Sequence, residues 1–147
     1  MTSEFTDDLS RLRAELDEAR SEFLAVLDSI PDDKLDSARR GGWSIRRVLD
    51  HVISPEHAYA RLIAHVRKQP ITDAMPPSDP ASMDDAKEKL SASHALLLSA
   101  LDGVGEDDFY NIDRIGHEEY SIMSILENAR NHDHEHSGQL AEVSHSS

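Results

Sequence analysis

No cysteine occurs in the chain. That excludes disulfides and thiolate ligands, so any metal must be held by imidazole, carboxylate or carbonyl groups. Aromatic residues are scarce, at 5%, and the core has to be built mainly from aliphatic side chains. Basic residues are outnumbered, with 15 Lys and Arg against 29 Asp and Glu for a formal charge of −14. A surface of that sign repels phosphate backbones and anionic lipid, so neither nucleic acid nor a membrane is an expected partner. Apolar runs are only a few residues long, and Met1-Thr2-Ser3-Glu4-Phe5 lacks the basic and apolar regions of a signal peptide. A cytoplasmic location is the resulting expectation. What is present is 38% hydrophobic content over 147 residues, enough for a single domain spanning 1–147 with its own core.

Hydrophobic spacing organises that domain. Phe5, Leu9, Leu12, Leu16, Ala19, Phe23, Val26 and Ile30 recur at steps of four and three, which predicts a long amphipathic helix. Thr6 is a candidate cap for it, and Pro31 a stop. A second helix is expected from Ser44, carrying Ile45, Val48, Val52, Tyr59, Leu62 and Val66. Pro70, Pro76, Pro77 and Pro80 make residues 69–81 a non-helical crossing. Ser82 or Asp84 can open a third helix bearing Met83, Ala86, Leu90, Leu97 and Leu101. Between Phe109 and Ile115 the pattern alternates as a short strand would, turning at Gly116, and a fourth long helix follows from about Ser121 to Ser144. The expected fold is all-α: a four-helix bundle with a long crossover between helices 2 and 3 and a small hairpin before helix 4.

The fourth helix breaks its own rule. Ile122, Ile125, Ala129 and Val143 mark its apolar stripe, and His132 and His136 continue that stripe. An imidazole buried without partners costs roughly 1–3 kcal/mol, so two of them stacked one turn apart on a core face call for a compensating interaction. A shared metal ion supplies one, given a third ligand. His51, beside Val48 and Val52, meets the pair if helices 2 and 4 are neighbours. His134 falls on the opposite side of the helical wheel and is assigned to solvent. Pro55, four residues after His51, predicts a bend near that ligand or a kink that merely accommodates packing.

Other side chains near this constellation have two readings each. Asn128 either orients a ligand or caps the end of the core. Glu56 either serves as a base or is a solvated surface carboxylate, the reading we favour from the sequence. Trp43 either stacks on substrate or, as we expect, plugs the bundle end beside Gly41-Gly42. Arg39, Arg40, Arg46 and Arg47 either draw an anionic ligand or pair with Asp32, Asp33 and Asp36. His57, His65, His94, His117 and His145 show no spacing that builds a second site.

Trp43-Ser44-Ile45-Arg46-Arg47-Val48-Leu49-Asp50-His51 and His132-x-x-x-His136-x-Gly138-Gln139 together resemble the DinB-like superfamily. It includes mycothiol-dependent maleylpyruvate isomerase and bacillithiol transferases. The resemblance implies a divalent metal held by His51, His132 and His136 with an open position. Zinc, nickel, iron or manganese all suit such nitrogen-rich ligation. It further implies a homodimer and an enzyme acting on a small molecule, either a hydrolase or a transferase using a low-molecular-weight thiol. In the isomerase branch a carboxylate replaces one of the fourth-helix histidines. His132 stands there in this chain, which argues against carrying over the isomerase reaction. The alternative is a non-catalytic bundle whose metal is structural or vestigial.

Overall fold

A computed structural model describes residues 3–38, 40–71 and 74–146, without the side chains of 145 and 146. Helix α1, Ser3–Asp28, buries Phe5, Leu12, Leu16, Ala19, Phe23 and Leu27 along one face. It begins ahead of Thr6, which lies exposed inside the helix and is not its cap. Val26 is only half-buried and Leu27 takes its place in the core. A strict seven-residue repeat drifts against a helix of 3.6 residues per turn, and by the last turns the stripe has moved one position.

After a tight turn at Asp32–Lys34, the chain enters α2, Ile45–Val66, whose first donors are all taken. The Ile45 and Arg46 amides donate to the carbonyls of Ser37 and Leu35, and the Arg47 amide donates to the Ser44 hydroxyl at 3.1 Å. The helix runs on through Pro55. At its far end the Arg67 guanidinium donates to the carbonyls of Ala100 and Asp102, tying the end of α2 to the exit of α3. Helix α3, Met83–Ser99, is capped as expected by Ser82, which accepts from the Asp85 amide.

The stretch read as one strand divides in two. Glu106–Tyr110 forms a short helix α4, and only Asp113–Ile115 and Glu118–Tyr120 pair, as β1 and β2, around Gly116. Three acidic residues at the start of α4 suit the positive end of a helix, and Phe109 is drawn into the core against Phe5, with ring centroids 5.4 Å apart. Helix α5, Ile122–Ser146, closes the bundle. Among the described residues no helix is long and apolar enough to cross a membrane.

Helix α5 packs on both α1 and α2, and α3 packs on α2. One hydrophobic cluster joins the start of α1 to the ends of α2 and α3 and the start of α5, through Leu12, Ile63, Leu97 and Ile125. A second joins the opposite ends through Phe23, Leu49, Leu90 and Leu140. Helices α1 and α5 therefore run one way and α2 and α3 the other, which is why the 67–82 crossing must travel the length of the bundle. Polar side chains occupy the level between the two clusters.

Candidate metal centre

The polar level holds two groups of residues on different sides of α5. Toward α1 and α3 lies a buried ion layer. Arg20, only 4% exposed, donates through Nε to Asp133 at 3.0 Å, through Nη2 to Glu56 at 2.7 Å, and through Nη1 to the Leu90 carbonyl at 2.8 Å. The Ser93 hydroxyl donates to Glu56, and His94 bridges Glu56 and Asp17 at 3.3 and 2.9 Å. Burial pulls the Glu56 carboxyl upward, but His94, Arg20 and Ser93 outweigh it and hold it below the usual carboxylate range. Burial dominates at Asp133 and pushes its carboxyl up despite Arg20. His94 is raised, since its bonds to Glu56 and Asp17 overcome burial.

Glu56 is thus not a solvated surface residue; it is 5% exposed and fully partnered. The signal was in the spacing. Glu56 stands four residues after Val52 and four before Ala60. Arg20 follows Leu16 by four and precedes Phe23 by three, and Asp133 follows Ala129 by four. Charges of opposite sign on three apolar stripes are a sequence signature of a buried ion layer.

Toward α2, α5 presents the histidines. His136 is 5% exposed and His132 half-buried, and their Nε2 atoms approach to 3.1 Å. His136 Nδ1 carries its proton to Gln139 Oε1 at 2.8 Å, which leaves Nε2 as the lone-pair nitrogen of the neutral ring, directed at His132. Burial, His136 and His51 all lower the pKa of His132 and keep it neutral, as ligation requires. No carboxylate is hydrogen-bonded to either ring. Two convergent, neutral imidazoles, one with its far nitrogen anchored, fit a borderline divalent cation.

His51 lies nearby but outside the pair. Its ring packs on the Trp43 indole at 4.3 Å, and the same indole stacks at 6.2 Å on His136. Among the described residues no three His, Asp or Glu side chains close into a group that would hold a metal as they stand. Trp43 does both things asked of it: it sits at the bundle end beside Gly41-Gly42 and forms a wall of the histidine cluster. Arg47 lies over the indole at 4.5 Å. Arg46 takes the pairing role, bonding Asp36 at 2.8 Å, and Asp32 and Asp33 are not its partners. Arg39 lies outside the described residues. A cleft of about 370 Å³ opens beside the cluster between Arg40, Gly41, Gly42, Trp43, Gln139 and Glu142. Asn128 is exposed and does not cap the core, His134 faces solvent and pairs with Glu22, and His65 is exposed near Asp113.

A family model described as the DinB superfamily matches residues 15–140. The fold is similar to the crystal structure of TT2238, a four-helix bundle protein, at a TM-score of 0.67 and 21% identity, covering 94% of this chain and 98% of that one. No curated protein matches the chain.

Proposed function

The chain belongs to the DinB superfamily, whose members often bind metals, and from that premise we propose that it is a divalent-metal-dependent enzyme acting on a small molecule. His132 and His136 would hold the ion together with His51, released from its stack on Trp43. The observation that carries this reading is the 3.1 Å approach of two imidazole Nε2 atoms, one of them fixed from behind by Gln139. A divalent ion with an open position supplies Lewis-acid activation of water or of a small thiol at neutral pH. Hydrolysis and thiol transfer are the two reaction classes this accommodates.

The protein's own residues supply the rest. Gln139 sets the tautomer of His136 and so acts as a positioning residue. Trp43 shields one side of the cluster from water, and the cleft it shares with Gln139 is wide enough to admit a small molecule. Arg40 and Arg47 at that edge attract an anionic group on an otherwise acidic protein.

The test is elemental analysis of protein purified without chelator or affinity tag, followed by titration with zinc and nickel. One equivalent is expected, lost in His132→Ala and His51→Ala while the circular dichroism is retained. Protein that stays metal-free after reconstitution with zinc, nickel, iron and manganese would overturn the proposal. Loss of the fold on removing the metal would reassign the ion to a structural role.

A further inference from the structure

One buried polar group belongs to neither polar cluster. His57 follows Glu56 on α2, is 5% exposed, and its Nδ1 has no hydrogen-bond partner among the described residues. Leaving such an atom unpaired costs about 1–3 kcal/mol, and buried polar groups of this kind call for an explanation. The ring lines an apolar groove of about 410 Å³ between α2, α3 and the proline-rich crossing. That size lies within the range of small-molecule sites. Ala60, Ala64 and Ala100 leave the space open, while Ile71 and Leu96 stand 47% and 46% exposed along it. Exposed apolar side chains flanking a concave surface mark a place where something apolar docks.

The chemistry of the groove narrows the occupant. Burial lowers the pKa of His57, so its ring is neutral and offers one donor and one acceptor. Orphaned acceptors are tolerated in protein interiors more readily than orphaned donors. That assigns the bare lone pair to the buried Nδ1 and the N–H to Nε2. Arg61 lines the same groove and adds positive charge. We propose that the groove is a second ligand site, taking a small molecule with an apolar chain and an oxygen head that accepts a hydrogen bond from His57, the chemistry of a medium-chain carboxylate. The site stands on α2 and α3 and uses none of the histidines assigned to the metal, so its fate is independent of the metal proposal.

Octanoate is the probe, titrated into the full chain with calorimetry for affinity and 15N chemical shifts for the His57 ring. Binding is expected, with a shift of the His57 Nε2 signal. His57→Phe should weaken octanoate about tenfold, the order expected for one lost hydrogen bond to a charged head. Ala64→Trp should abolish binding by filling the groove. Both variants should keep the helical circular dichroism and the zinc stoichiometry of the parent. Octylammonium, which offers only donors, should leave His57 unmoved. The proposal fails if octanoate does not bind, if His57→Phe binds it equally well, or if octylammonium shifts the same ring. It also fails if sedimentation shows a dimer that Ala64→Trp breaks and octanoate does not, since a second copy would then own the groove.

Discussion

The two sides of α5 handle buried polarity in opposite ways, although Asp133 and His132 are neighbours in sequence. On the α1 side Arg20 faces two carboxylates, and the guanidinium, the carboxylates, Ser93 and His94 satisfy one another. On the α2 side two imidazoles face each other with no countercharge bonded to them, and the only fixed polar contact reaches in from behind, through Gln139. The first arrangement is complete as it stands and has nothing to offer a ligand. The second places lone pairs together, which is favourable only when something electrophilic joins them. Burial of polar groups is therefore no guide to function by itself; the sign and completeness of their partners are.

The largest expected effect breaks the complete side. Arg20→Met strands Glu56 and Asp133 in the core and should cost about 3–5 kcal/mol, read as a shift of the urea midpoint. Replacing Arg20, Glu56 and Asp133 together by apolar residues should restore most of that loss, because no buried charge is then left unpaired. A loss from Arg20→Met below about 1 kcal/mol would remove the distinction between the two sides.

The opposite signature is expected across α5. His132→Ala should cost the metal-free protein about 1 kcal/mol or less, while zinc affinity measured by calorimetry falls beyond the roughly 100-fold that bounds the loss of an outer contact. Gln139→Leu should weaken zinc by roughly 10–100-fold with stability almost unchanged, because the His136 ring loses its fixed tautomer but not its nitrogen. Unaltered zinc affinity in Gln139→Leu would show that the amide is a bystander.

The smallest effect is a difference in pH slope. His94 has a raised pKa, so its contribution to stability is present below about pH 6.5, the ordinary imidazole value, and is lost as the pH rises through its folded value. His132 has a lowered pKa, so its folded ring resists protonation and stability falls as the pH drops below about 6.5. His94→Gln should therefore destabilise more at pH 5.5 than at pH 8, and His132→Gln should relieve the acid-side loss of the metal-free protein. Urea midpoints at the two pH values measure both; slopes of the same sign in the two variants would contradict the assignment.

Much of this was legible in the chain. The apolar stripes of α1, α2, α3 and α5, the Ser44 and Ser82 caps and the Gly116 turn were readable because each depends on neighbours within a few residues. So was the meeting of His132 and His136, one turn apart on one helix. Three things were misread or missed. Phe109 looked like part of a strand, since its alternation with Ile115 says nothing about Phe5, the ring that draws it into a helical turn. Glu56 looked solvated because its partners, Arg20, Ser93 and His94, lie 36, 37 and 38 residues away. His57 carried no motif, and its isolation emerges only from what packs around it.

The sequence by itself determined the helices, their amphipathic faces and the histidine pair, since periodicity and capping are local and a helix fixes the relative placement of residues one turn apart. Tertiary structure alone decided which side of α5 became the sealed ion layer and which the open imidazole pair, and that Trp43 would keep His51 in a stack beside the pair. Those outcomes depend on which helix stands opposite which, and packing sets that through contacts between residues far apart in the chain.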